Sequence, residues 1–140
     1  MPELVYAVIT DTPIYIADLS QLVANPQSGA VVTFCGDVRN HDGGKEVASL
    51  LYEIHPTASD QIKLITSAVI EQFDIEKAAV AHRYGDIAIG ETAFAVAVSA
   101  AHRQAAFDAC SAIVNAVKEK LPIWKYQKFV DGSDEWVNCA

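Results

Sequence analysis

The sequence predicts one α+β domain with a mainly antiparallel sheet and two long helices. Short β-branched and apolar runs bounded by Gly, Pro, Asn and Asp are typical of strands, and two segments repeat apolar residues at steps of three or four. Strands and helices do not alternate regularly enough for a parallel, doubly wound sheet. The chain has 140 residues, the usual size of one domain, so we expect a single domain over residues 1–140.

Two strands and a short helix are predicted first. Residues 4–10 are β-branched and apolar, and a helix over residues 17–24 follows the turn-favouring Asp, Thr and Pro after them. Residues 30–36 are continuous in apolar character, which predicts a largely buried strand. Gly36 at its end indicates a β-bulge or a close approach of backbone.

A hairpin and the first long helix follow. Asn40 to Gly44 hold two glycines and short polar side chains, typical of a flexible turn, and residues 47–54 resume a strand pattern. Residues 57–73 predict a helix with one buried stripe. The stripe consists of Ala58, Ile62, Ile65, Val69 and Phe73.

Two more strands, the second long helix and a final hairpin follow. Residues 78–84 and 92–99 are predicted strands, and residues 102–120 form the second long helix, which Pro122 ends. Residues 123–130 and 135–137 then pair as a hairpin across an Asp-Gly turn.

Composition limits the class of protein. No apolar run reaches the ~18 residues that a membrane helix needs, and the N-terminus lacks a signal-peptide pattern, so we expect a cytoplasmic protein. Cys35, Cys110 and Cys139 have no paired C-x-x-C spacing, which favours reduced thiols. The formal net charge of −8 argues against nucleic-acid binding.

Positive charge is nevertheless concentrated between residues 103 and 128, where basic residues outnumber acidic ones. Lys118 falls at the border of the apolar face of its helix, which predicts a half-desolvated ammonium group. Lys125 follows just past Pro122, where the chain can turn back, so the two lysines can converge on one anion. Spacing alone favours the structural alternative, in which Lys118 snorkels from the helix edge and Lys125 is a surface residue.

Three further residues occupy positions that suit an anion. His102 and Arg103 lie where a strand ends and the long helix begins, and free backbone N–H groups at a helix N-terminus favour negative charge. Arg39 emerges after the strand that ends at Gly36. Each residue taken alone is more often structural.

Several short motifs occur in a fixed order between Gly29 and Val137. They are GAVVTFCGDVR at residues 29–39, LYE at 51–53, HRYG at 82–85, SAAHR at 99–103, AF at 106–107 and, following Lys118, PIWK at 122–125. In order and spacing these motifs resemble the large, catalytic subunit of molybdopterin synthase. The His102-Arg103 pair and the PIWK motif carry most of the resemblance.

The resemblance implies an α/β hammerhead-type fold and a homodimer of large subunits, with a small ubiquitin-like subunit at each end of a heterotetramer. The small subunit's C-terminal Gly-Gly thiocarboxylate would supply sulfur to cyclic pyranopterin monophosphate (precursor Z), forming molybdopterin in molybdenum cofactor biosynthesis. The resemblance requires no cofactor and no metal, because the sulfur arrives on the partner. An arginine such as Arg39 would act on the pocket of the neighbouring subunit.

The resemblance also assigns site residues. Lys118 and Lys125 are implied to be catalytic. The pterin phosphate and the pocket around it are assigned to Asp37, Val38, Arg39, His102, Arg103, Tyr126 and Gln127, together with both lysines.

Two positions depart from the family pattern. Gln127 stands where an acidic residue is usual, which removes a charge that could tune Lys125, and Thr57-Ala58 replaces a common Met-Ala. One alternative is therefore a slow or non-catalytic paralogue that binds the small subunit. A second is a thiol or metal enzyme using Cys35 or the four histidines, which their spacing disfavours.

Overall fold

The computed structural model describes residues 2–137, which form two sheets and three helices. In chain order the elements are β1 (Glu3–Thr10), α1 (Ile16–Val23), β2 (Ala30–Asp37), β3 (His41–Asp42), β4 (Lys45–Ile54), α2 (Ala58–Ile70), β5 (Lys77–Arg83), β6 (Gly85–Ile87), β7 (Thr92–Ala100), α3 (Arg103–Lys120), β8 (Ile123–Phe129) and β9 (Asp134–Val137).

The first sheet has the strand order β1-β5-β7-β2, in which β1 and β5 are parallel and the other pairs are antiparallel. Successive side chains of β5 and β7 point to opposite faces. One face carries alanines, including Ala79 and Ala97, and packs against α1. The other carries larger residues such as Val80 and Val98 and packs with Ile62 of α2 and Ile113 of α3 in the main core. Strands β5 and β7 are the central strands of this sheet, and both of their faces are buried.

The second sheet pairs β3-β4-β8-β9, with β6 on the other edge of β4. Strands β4 and β8 run antiparallel from Ile54 opposite Ile123 to Val47 opposite Phe129. Strand β8 begins directly after α3, because the chain leaves the helix at Leu121 and Pro122 offers no N–H to continue it. This reversal places β8 beside the C-terminal end of α3.

The mixed α+β class and the mainly antiparallel pairing predicted from the sequence are confirmed. Helices α2 and α3 span 13 and 18 residues, and α1 spans 8. The turn before β4 contains Gly43 and Gly44, both with positive φ, a conformation that glycine adopts without a steric penalty. The pairing register also shifts between Gly36 and Asp37, as a bulge requires.

The prediction that residues 30–36 form a largely buried strand was wrong. Strand β2 lies at the edge of its sheet, and its residues alternate between half-buried and exposed. Val31, Thr33 and Cys35 lie on the exposed face. The continuous apolar run therefore belongs to an edge strand with one exposed face. It does not indicate burial on both faces. Strand β6 was not predicted, because three residues give no measurable alternation.

Two sequence predictions concern composition. Within residues 2–137 no helix is long and apolar enough to cross a bilayer. Cys35 and Cys110 are free thiols, whereas Cys139 lies outside the described residues.

Candidate active site

A cavity of about 260 Å³ lies where the two sheets and the C-terminal end of α3 meet. Residues from every one of these elements line it: Gly36, Asp37, Val38, Arg39, His41, Asp42, Leu50, Tyr52, His82, Ala93, Phe94, Lys118, Lys125 and Gln127. Three of the lining residues, Arg39, Lys118 and Lys125, are basic. The cavity therefore suits an anion.

The two lysines reach the cavity from different elements. Lys118 lies in the last turn of α3, and Lys125 is a half-buried residue of β8. The reversal at Leu121 and Pro122 brings them to one site, although they are seven positions apart in the sequence. Lys118 is exposed as a residue of the single chain, although it lines the cavity. The half-desolvated ammonium group expected from helix spacing stays a prediction.

Asp42 contacts both Gln127 and Arg39 at the cavity. Its Oδ2 accepts a hydrogen bond of 2.7 Å from Gln127 Nε2, and its Oδ1 lies 3.4 Å from an Arg39 guanidinium nitrogen. The hydrogen bond from Gln127 is the largest cause that lowers the pKa of Asp42, and the charges of Lys125 and Arg39 lower it further against a smaller opposing effect of desolvation. Asp42 is consequently ionised at neutral pH, and it lies beside two of the cavity's cations.

Gln127 itself is buried, with 2% of its surface exposed. Its Nε2 also donates to Glu135 Oε1 at 3.2 Å. The amide thus has both N–H groups in use, and each one meets a carboxylate. A glutamate, with no N–H, would not make either bond.

His82 lies on the floor of the cavity, and sequence reasoning did not select it. Its imidazole is 1% exposed, and Nδ1 lies 2.8 Å from the Arg83 carbonyl oxygen. Burial lowers the pKa of His82 to about 4, against the opposing effect of the hydrogen bond that Nδ1 donates to the Arg83 carbonyl oxygen, and the nearby Lys118 charge lowers it further. The only available signal was its position in the HRYG motif.

The remaining predicted residues occupy different places. Asp37 and Val38 line the cavity, and Asp37 Oδ1 accepts a 2.7 Å hydrogen bond from Thr92. Tyr126 points to the opposite face of β8 from Lys125, as strand alternation requires, and its hydroxyl group donates to Asp134.

His102 and Arg103 do not line the cavity of their own chain. Both are exposed at the N-terminal end of α3. Arg103 precedes Lys118 by fifteen residues of helix, a separation of about 22 Å at the helical rise of about 1.5 Å per residue. A ligand that contacts both Arg103 and Lys118 must therefore contact them in different chains or span the length of the helix.

The two thiols among the described residues, Cys35 and Cys110, are not set up as nucleophiles. Desolvation, followed by the nearby Asp37 charge, raises the pKa of the exposed Cys35, and burial raises the pKa of Cys110 to about 11. Both groups therefore stay protonated at neutral pH, whereas a nucleophilic cysteine needs a lowered pKa. Within residues 2–137 no three His, Cys, Asp or Glu side chains are grouped to hold a metal ion.

Comparison with known proteins identifies the family of this chain. The family model described as MoaE protein matches residues 9–120. The chain belongs to the MoaE family. A molybdopterin synthase catalytic subunit of Thermoplasma volcanium is 38% identical over 132 residues, which cover 94% of this chain and 96% of that protein.

Two solved structures agree with the fold. The crystal structure of molybdopterin synthase from Staphylococcus aureus matches with a TM-score of 0.86 and 30% identity, over 94% of this chain and 96% of that one. A complex of subunits 1 and 2 of the molybdopterin-converting factor from Helicobacter pylori contains a chain that matches with a TM-score of 0.71 and 20% identity, over 94% of this chain and 88% of that one. As a MoaE-family member, this chain acts in molybdenum cofactor biosynthesis as the catalytic subunit of a molybdopterin synthase.

Proposed function

We propose that the cavity between the two sheets is the site at which sulfur passes from the C-terminal thiocarboxylate of a small ubiquitin-like subunit to cyclic pyranopterin monophosphate. The observation that carries this proposal is the convergence of Lys118, Lys125 and Arg39 on one cavity. Both reactants are anions, and a site that receives two anions needs several cations to offset their mutual repulsion.

Lys118 and Lys125 are the proposed catalytic residues. Lys118, at the open end of α3, is placed to meet the incoming tail and to stabilise negative charge on its carbonyl group as the sulfur leaves. Lys125 lies deeper, on β8, and either transfers a proton or holds the substrate. Asp37, Val38 and Gln127 shape the cavity around them, and Tyr126 supports β8 from its other face.

His102 and Arg103 take part, in this proposal, through a homodimer. Because they lie at the far end of α3 from Lys118, a second copy of the chain brings them to the cavity, where they bind the substrate phosphate. Arg39 lines the cavity of its own chain, and its action on the pocket of the neighbouring subunit, which the resemblance implies, stays a prediction. The α/β hammerhead arrangement, with two large subunits at the centre of a heterotetramer, follows from the family resemblance.

The partner is the small subunit with its C-terminal Gly-Gly thiocarboxylate. The Helicobacter pylori relative was solved as a complex of two subunits, which supports assembly of this kind. The tail is proposed to bind in extended form, with its backbone held by the walls of the cavity and its anionic end by the lysines.

Reconstitution tests the function directly. The purified chain is mixed with thiocarboxylated small subunit and cyclic pyranopterin monophosphate, and dithiolene product is measured. Product formation is expected, and a small subunit without its last two residues should give none. Assembly of the two subunits without any product would instead identify a non-catalytic binding protein, and turnover with the truncated partner would exclude tail insertion.

A further inference from the structure

His82 lines the cavity and holds a hydrogen-bond acceptor that no described residue uses. Its ring is stacked on Phe94 with 5.2 Å between centroids and meets Tyr52 edge-on at 5.0 Å. These two contacts hold the imidazole in one orientation. Nε2 is buried and has no hydrogen-bond partner within the described residues.

The hydrogen bond at Nδ1 determines which nitrogen carries the proton. A carbonyl oxygen only accepts, so Nδ1 must be protonated to donate to Arg83. In a neutral imidazole the other nitrogen, Nε2, is then an acceptor with a free lone pair. Burial keeps the ring neutral at physiological pH.

A buried acceptor without a partner is costly, and in native proteins it usually has a use. The cations of the cavity are donors only. Both oxygens of Asp42 are already engaged, by Gln127 and Arg39. His82 Nε2 is thus an acceptor without a partner, which can accept from an N–H group of a ligand.

We propose that His82 is a substrate-binding residue, whose Nε2 accepts a hydrogen bond from an N–H group on the heterocyclic ring of the pterin. The inference rests on the function proposed above, since it takes the pterin as the ligand. The lysines and Arg39 take the anionic groups, and the aromatic side chains of His82, Phe94 and Tyr52, which line the same cavity, take the planar ring.

Two substitutions separate this role from a structural one. His82→Asn keeps a donor near the position of Nδ1, which preserves the bond to Arg83, but removes the acceptor at Nε2. His82→Gln places an amide oxygen near the position of Nε2 but gives up the bond to Arg83. A binding role predicts that the asparagine variant is the poorer binder, whereas a purely structural role predicts the opposite order.

The measurements use the complex with thiocarboxylated small subunit, together with calorimetric binding of the pterin and thermal unfolding. We expect His82→Asn to raise the KM and the dissociation constant for the pterin roughly tenfold, equivalent to about 1.4 kcal/mol. His82→Gln should fall nearer the wild type in affinity while melting at a lower temperature. His55→Asn is the control, because His55 is exposed and outside the cavity.

The possible outcomes are distinct. Unchanged pterin affinity in His82→Asn would overturn the inference, and so would a fall in kcat alone or weaker binding of the small subunit with pterin binding intact. A nitrogen-15 resonance of His82 Nε2 that moves when pterin is added to the complex supports it, and one that does not move opposes it. If the wild-type complex gives no dithiolene, the proposed function fails independently of these variants.

Discussion

Gln127 donates a hydrogen bond of 2.7 Å from its side-chain amide to the carboxylate of Asp42. The same amide nitrogen donates to Glu135 at 3.2 Å, so a neutral group lies between two carboxylates. The family pattern has an acidic residue at position 127. In this chain the neighbouring carboxylates of Asp42 and Glu135 supply the negative charge at that place. Gln127 therefore fits between its two carboxylate neighbours, and we expect its replacement to destabilise the protein.

Gln127→Glu should therefore destabilise the protein. The new carboxyl group would be buried beside Asp42 and Glu135, lose both hydrogen bonds and add a third negative charge. We expect the free energy of unfolding to fall by about 1–3 kcal/mol at neutral pH, as measured by urea denaturation. Since burial and like charges raise the folded-state pKa of the new group, the loss should grow as the pH rises from about 5 to about 7.

The double variant Asp42→Asn, Gln127→Glu is the matched test of this explanation. An asparagine at position 42 removes one neighbouring charge and can donate to the new carboxylate, so the double variant should be more stable than Gln127→Glu alone. Equal stability of the two would show that repulsion from Asp42 is not the cause.

Sequence patterns predicted the elements that bury one clear face. The stripe from Ala58 to Val69 and the helix that ends before Pro122 follow from the helical period, and Ile62 and Ile113 are buried as that period requires. Phe73, the last predicted member of the stripe, lies beyond the end of α2 at Ile70. Patterns failed for β2, because an apolar run does not reveal whether a strand is central or at an edge.

The candidate site was predicted in part. Lys118, Lys125 and Arg39 were selected by charge and resemblance, and the structure places all three at one cavity. His82 and Asp42 were missed, because what matters about them is long-range: a buried ring between Tyr52 and Phe94, and a hydrogen bond to a residue 85 positions away. No local spacing encodes such contacts.

Burial of His82 should make stability depend on pH. Its pKa is about 4 in the folded chain and about 6.5 when unfolded. Between these values the unfolded state binds more protons, so the free energy of unfolding should fall as the pH drops from about 6.5 towards 4. His82→Asn should show a flatter dependence in urea titrations across this range, and His55→Asn should keep the wild-type slope. Parallel slopes in all three proteins would contradict the assignment.

Lys118→Ala should lower turnover about 10²- to 10³-fold, the usual cost of losing one electrostatic contact made during reaction. Assembly with the small subunit should persist. Lys120→Ala is the control, since Lys120 lies about 200° around α3 from Lys118 and outside the cavity. Single-turnover rates of both variants measure the effect, and equal rates would show that Lys118 is not catalytic.

Lys125→Ala should impair both binding and turnover, because its side chain lies inside the cavity near Asp42. An increase in the KM for the pterin together with a lower kcat is expected. Lys128 is an exposed residue of the same strand, with its ammonium group 5.9 Å from the Tyr126 ring and outside the cavity. Lys128→Ala should therefore retain wild-type kinetics, and a matching loss there would point to a general effect on β8.

The homodimer can be tested by mixing inactive chains. If each site combines Lys118 of one copy with Arg103 of the other, a mixed dimer of Lys118→Ala and Arg103→Ala chains has one site with both residues intact. Equal amounts of the two chains, refolded together, form half mixed dimers, so activity should return to about a quarter of the wild-type level.

A second mixture provides the control for that experiment. Lys118 and Lys125 line the cavity of the same chain, so mixed dimers of Lys118→Ala and Lys125→Ala have one defective lysine in every site and should recover nothing. Recovery of activity in both mixtures would mean that the recovery does not depend on which residues share a site. Recovery in neither, with mixed dimers demonstrated by mass spectrometry, would mean that Arg103 does not complete the partner's cavity. Recovery in the first mixture alone would assign Arg103 to the site of the neighbouring subunit, about one helix length from its own Lys118.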